Sequence, residues 1–125
     1  MRRIEIGILV CLSIILAVGG SRAEETTTKV KGYVIDSSCA FVKNLKKPIS
    51  PECAVKCAKA GSPLVILTDS GIIYWPISGA MPATGQNERL MEFAGKRVIA
   101  TGQVYSKGGS RAMVIAKIEE APDGR

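Results

Sequence analysis

Three cysteines carry most of the chemical potential of this sequence. Cys39, Cys53 and Cys57 follow one another with the spacing C-x13-C-x3-C, and Asp36 stands three residues before the first. A thiolate is a nucleophile, a redox centre and a soft metal ligand, so three converging thiols would define a site. The 125-residue chain contains no histidine, which removes the usual general base and the commonest metal ligand. Cys, Asp, Glu, Lys, Tyr and Met are what remain for any catalytic or metal-binding arrangement.

Three uses of the cysteines follow from their types and spacing. The first is structural. Cys53 and Cys57 are four apart on an expected helix, with Cβ vectors pointing the same way, so a disulfide between them is geometrically poor. The expected bridge joins Cys39 to Cys53 or to Cys57, closing a loop of roughly 15 to 19 residues worth about 3 kcal/mol in the chain-entropy model. One thiol is then left over, buried and apolar or exposed and able to pair outside the molecule. The second use, the alternative to the staple, is metal binding. Three soft sulfurs suit Zn²⁺ or Cu⁺, with Asp36 or Met81 as the fourth ligand, although the spacing is not a standard zinc pattern. The third is thiol redox chemistry at Cys53, placed at the third helical position where the helix N-terminus favours a thiolate, with Lys56 nearby. Against it stand the missing C-x-x-C motif and the lack of a histidine proton donor.

The elements that must position these residues can be read outward from them. Ser50 is the expected N-cap and Pro51 the first residue of a helix with Glu52 in its first turn and Lys59 and Gly61 at its end. Its periodicity puts Cys53, Cys57 and Ala60 on one side, flanked by Ala54 and Ala58. Before it, residues 29–36 alternate as a β-strand, and a polar, lysine-bearing loop is expected from Ser37 to Ser50. After it, Leu64 to Leu67 and Ile72 to Trp75 form a hairpin about a glycine-containing turn. A loop over residues 78–86 leads to a brief helix ending near Phe93, capped by Thr84 or Asn87, with Leu90, Phe93 and Ala94 buried and Gly95 as its stop. A second hairpin closes the chain, from Lys96 to Tyr105 and from Arg111 to Glu119, and Gly102 inside it marks a bulge or bend. In its last strand Ala112, Val114, Ala116 and Ile118 alternate with Arg111, Met113, Ile115 and Lys117. Five strands with a helix between the third and fourth is the order of an OB-like Greek-key barrel, so the expected fold is mainly β. One cysteine-bearing helix and one short helix complete it.

The N-terminus reads as an address. Arg2 and Arg3 precede an apolar run from Ile6 to Val18 and small or polar residues at 19–23, the three parts of a secretory signal peptide cleaved after Ala23. The run falls short of the roughly 20 apolar residues of a membrane span, so no stable span is expected after cleavage. Cys11 lies within that run and leaves with it. The expected organisation is a signal peptide over 1–23, a flexible lead-in over 24–28, one barrel domain over 29–120 and a disordered tail over 121–125. Losing Arg2, Arg3, Arg22 and Glu5 takes the net charge from +6 to +4, a modest surplus that suits an anionic partner.

Several stretches, GYVIDSSCA, SPECAVKCAKAG and FAGKRVIATGQV, together with a last strand ending in KIEE, give the chain a likeness over residues 30–120. It resembles a family of small, uncharacterised bacterial exported proteins with an OB-like domain. The specific parts are the D-x-x-C of Asp36 and Cys39, the C-x-x-x-C of Cys53 and Cys57, and the GKRVIATG element from Gly95 to Gly102. The resemblance implies a fold and a periplasmic or secreted address, and no activity.

Other surfaces offer less. An OB barrel commonly binds ligands across its second and third strands, which here places Tyr74 and Trp75, with Tyr33 and Tyr105 nearby, as candidate ligand-contacting aromatics. Adjacent Tyr74 and Trp75 must point to opposite faces, so at least one belongs to the core. Export takes the protein away from nucleic acid, leaving an envelope protein or a small or polymeric anionic ligand, such as an envelope glycan, as the expected partner. GKR at residues 95–97 lies between a helix stop and a strand, the wrong context for a phosphate loop. Glu119 and Glu120 read as a solvated strand end. The sequence therefore points to an exported, non-enzymatic binding or structural module of the cell envelope, stapled by a disulfide and without a cofactor. A Zn or Cu thiolate site or a thiol-redox centre is the alternative.

Overall fold

Alternating β-branched residues and paired glycines set the strands of the computed structural model, which describes residues 26–43 and 50–122. Strand β1 (Thr28–Asp36) directs Val30 and Val34 to one buried cluster and Ile35 to another. Helices α1 (Ser37–Val42) and α2 (Pro51–Lys59) follow, then β2 (Leu64–Thr68) and β3 (Ile73–Pro76). Helix α3 (Asn87–Leu90) runs on into a 3-10 turn at Met91–Phe93 before β4 (Arg97–Lys107) and β5 (Ser110–Glu120). The last two strands are joined by Gly108 and Gly109, whose φ values of 56° and 78° are those a two-residue type I′ hairpin requires.

The strands close in the order β1-β2-β3-β5-β4, with β1 pairing antiparallel to both β2 and β4 and β3 running parallel to β5. That is a small, closed, OB-like barrel, mainly β, as expected. Closure leaves no open sheet edge, which small β proteins must otherwise protect. The close approach of β1 to β2 depends on Gly32, where a Cβ would lie 2.5 Å from the Leu67 carbonyl oxygen.

Burial explains why β2 reads as a continuous apolar run rather than an alternating one. Leu64 and Ile66 point into the barrel, where they pack with Val30, Val34, Val98, Ala100, Met113 and Ile115. Val65 and Leu67 point outward, yet they are covered by Ala40 of α1, with Cys39, Ile73 and Trp75 around them. The barrel therefore has a second apolar layer on one side, and α1 is its roof. Helix α2 contributes Ala58 to the inner cluster, and Leu90 of α3 is fully buried there.

Several local expectations are corrected. Ser37 begins a helix, not a loop, because the Asp36 side chain caps it; residues 44–49 of the expected loop lie outside the described residues. The expected signal peptide over 1–23 also lies outside them, as do residues 123–125 of the expected tail, whereas Ala121 is buried and donates its N–H to the Arg97 carbonyl at 2.8 Å. Thr28, expected in the lead-in, already pairs with Gly102. Ala60 is exposed at the end of α2, and the buried line of that helix is Ala54 and Ala58, with the cysteines on its flank.

Neither Thr84 nor Asn87 caps α3. The Asn87 amide instead bonds three backbone groups, accepting from Leu64 N–H at 2.8 Å and donating to the Ser62 carbonyl at 2.8 Å and the Ala58 carbonyl at 3.2 Å. In β5 the buried residues are Met113 and Ile115, and the alternation breaks after them. The register slips between Thr101 and Gly102, opposite Ala116, so the expected bulge is present, and a Cβ on Gly102 would run into the Val114 carbonyl oxygen. Arg89 holds this irregular stretch, donating to the carbonyls of Ile115 at 2.6 Å and Ala116 at 3.2 Å.

Candidate metal centre

Two helix starts built to the same local plan bring the thiols together. Asp36 is the N-cap of α1, and its Oδ2 accepts the Cys39 N–H at 3.0 Å. Ser50 is the N-cap of α2, and its Oγ accepts the Cys53 N–H at 3.3 Å. Each cap thus bonds the amide three residues on, which puts Cys39 and Cys53 at the third position of their helices. Cys57 follows one turn later on α2. The first helix start is tied to the region beyond α2 by the Ser37 N–H to the Pro63 carbonyl at 2.8 Å, and by hydroxyl contacts of Ser37 and Ser38 with Ser62.

The three sulfur atoms lie within 4.8 Å of one another, and Cys39 and Cys53 approach to 3.9 Å. No pair is at bonding distance, and all three residues are partly exposed. An ion with sulfur bonds of about 2.3 Å holds its thiolates roughly 3.8 Å apart in a tetrahedron and roughly 4.0 Å apart in a trigonal plane. The observed Cys39–Cys53 separation falls at that spacing. Closing a disulfide would need the same pair to come within about 2.05 Å.

Asp36 is the charged neighbour of this cluster. It is 0 % exposed, its Oδ2 also accepts the Ser62 hydroxyl at 3.4 Å, and its Oδ1 has no hydrogen-bond partner. The carboxylate beside the thiol, assisted by burial and then by Cys53, pushes Cys39 from the ordinary 9.0 up to about 12. Burial raises Cys57 as well, with the charge of Asp36 adding to it. Both thiols hold their protons, the reverse of what an activated redox cysteine requires. Among the described acidic and cysteine residues, the set that lies mutually within 4.8 Å is the three cysteines alone. Asp36 therefore stands as a cap next to the cluster. Met81, the other expected fourth ligand, is 86 % exposed in the loop before α3.

The candidate aromatics separate into different environments. Tyr74 packs on the barrel cluster, while Trp75 covers the outer layer and stacks on Phe41 with ring centroids 6.2 Å apart. Tyr33 lies under the Arg97 guanidinium at 5.8 Å, and Arg97 is ion-paired with Asp69. Tyr105 is exposed and donates its hydroxyl to Gln103 at 2.6 Å. Trp75 and Tyr105 both pair with Ala112, so strand register puts these two on one outer face and takes Tyr74 away from it. Glu119 and Glu120 form surface ion pairs with Lys117 and Lys96.

The repeated cap plan at Asp36 and Ser50 escaped the sequence reading at the first of the two helices. D-x-x-C is a capping pattern like S-x-x-C, and that signal was available. Among the described residues no helix is long and apolar enough to cross a membrane. No protein-family model matches the chain, and no curated protein or solved structure matches it either. Fold and site alone define it as a small OB-like barrel bearing a three-thiol cluster.

Proposed function

We propose that the protein is an exported, non-enzymatic module of the bacterial cell envelope that holds a Zn²⁺ or Cu⁺ ion on Cys39, Cys53 and Cys57. The observation that carries the reading is the convergence of three thiols from two helices to within 4.8 Å, with Cys39 and Cys53 at thiolate–metal spacing. Its address rests on the basic, apolar and small-residue order of positions 1–23 and on the resemblance of residues 30–120 to exported OB-like proteins. Three sulfurs with no imidazole available make a soft donor set, which suits a closed-shell d¹⁰ ion better than a hard cation. The negative charge of the Asp36 carboxylate next to them favours a cation over three bare thiolates.

Metal uptake must displace protons that Cys39 and Cys57 hold more tightly than ordinary thiols do, so apparent affinity climbs with pH across the neutral range. The test is the metal content of the reduced chain, carrying Cys11→Ser to remove the thiol outside the cluster, purified without chelators. One zinc or copper per chain is expected, and none after Cys39→Ser. A reduced chain that takes up neither ion at stoichiometric concentration overturns the proposal.

The second reading is the disulfide-stapled module without metal. The 3.9 Å approach of Cys39 to Cys53 favours it, because those two sulfurs come from different helices. A ligand of such a module would be sought on the outer face shared by Trp75 and Tyr105.

A further inference from the structure

The staple and the metal site draw on the same sulfurs, so one chain cannot hold both. We infer that Cys39 and Cys53 are a specific oxidation site whose disulfide closes the thiol cluster to metal, leaving Cys57 as a lone thiol. The part concerning metal rests on the function proposed above; the choice of pair does not.

The pair is singled out by position. Cys39 and Cys53 come from the starts of two different helices, α1 and α2, and their sulfurs meet at 3.9 Å. Forming a bond requires them to close by roughly 1.9 Å, the difference from a normal S–S length. Cys53 and Cys57 sit one turn apart on α2, where parallel Cβ directions oppose a bridge. Cys39 is 14 residues from Cys53 in sequence, so the bridge also closes a loop that contains residues 44–49. Capping fixes both backbones at the point of attack: Asp36 holds the Cys39 amide and Ser50 the Cys53 amide.

The reaction balances with a small-molecule disulfide such as oxidised glutathione. One protein thiolate attacks it, forming a mixed disulfide and releasing one small thiol. The second protein thiol then displaces the other small thiol, so the protein loses two hydrogens and two electrons and two small thiols are formed. Two of three ligands are consumed, and the single remaining thiol cannot hold the ion.

The experiment uses the full chain with Cys11→Ser, metal-free and reduced, exposed to oxidised glutathione and then alkylated. Trypsin cuts after Lys43 and Lys56, which places Cys39, Cys53 and Cys57 in three separate peptides. A Cys39–Cys53 cross-link is expected, with Cys57 alkylated and zinc or copper capacity falling from one ion per chain to below a tenth. Cys57→Ser should form the same cross-link, and Cys53→Ser should not form it with Cys57 at comparable yield. A dominant Cys39–Cys57 or Cys53–Cys57 bridge, or no bridge, overturns the choice of pair. A cross-linked chain that still binds one ion overturns the exclusion. If the reduced chain binds no metal while the cross-link forms, the proposed function falls and takes the exclusion with it, whereas the pair stands.

Discussion

The barrel and the cysteine-bearing helices solve the problem of buried polar groups in opposite ways. At the barrel's closure, Asn87 spends its whole amide on three backbone partners, and Arg89 satisfies two carbonyls at the bulge in β5. Close by, Asp36, whose strand partner Leu64 bonds Asn87, is more deeply buried than either and leaves one oxygen without a partner beside three thiols that are partly exposed. Buried polar groups are normally satisfied, and an exception calls for an explanation. The contrast teaches that stability resides in the barrel, where Arg97 Nε of β4 is the one other such unpartnered buried atom among the described residues, whereas at the start of α1 the unmet bonding capacity lies beside thiols.

Stability measurements offer the largest break in that contrast. Ile66→Ala empties a fully buried position in the barrel and should cost about 3 to 5 kcal/mol in urea unfolding. Cys57→Ser in the reduced, metal-free chain should change stability by less than about 1 kcal/mol, because that thiol is partly exposed. Equal losses from the two would erase the distinction between the regions.

Asn87→Ala is the next test and acts on the polar side of the comparison. It leaves the Leu64 N–H and the Ala58 and Ser62 carbonyls without their partner, and should lower stability by about 2 to 3 kcal/mol in the same assay. A change within error would mean that water replaces the amide at no net cost.

A smaller effect, in reactivity and in pH dependence, sharpens the cysteine side. Cys39 binds its proton more tightly folded than unfolded, so its contribution to stability is full below the ordinary thiol value of 9.0 and is lost as pH rises towards about 12. Asp36→Asn keeps a side chain able to cap α1 but removes the carboxylate whose hydrogen bonding to the thiol heads the causes of this shift. It should flatten the loss of stability above pH 9.0 and speed alkylation of Cys39 several-fold at fixed alkaline pH. An unchanged alkylation profile would show that burial, not the carboxylate, governs this thiol.

Much of the barrel was legible in the sequence because its signals are local. Period-two alternation marked β1, the glycine-bearing turns marked both hairpins, and Gly102 announced the bulge that appears opposite Ala116. The end of α2 and its Ser50 cap were equally plain. In contrast, α1 was hidden by its brevity, since six residues are too few for a helical period to emerge. The role of Asn87 was hidden because its partners lie 23 to 29 residues away.

The sequence by itself determined which side chains have chemistry, that the thiols must act without histidine, and where along the chain the five strands lie. These depend on composition and on patterns a few residues long. Only the tertiary structure decided that the start of α1 meets the flank of α2, that Asp36 keeps one oxygen unpaired, and that Tyr74 leaves the outer face while Trp75 and Tyr105 stay on it. Those outcomes depend on where barrel closure places segments far apart in the chain, and no local periodicity encodes that placement.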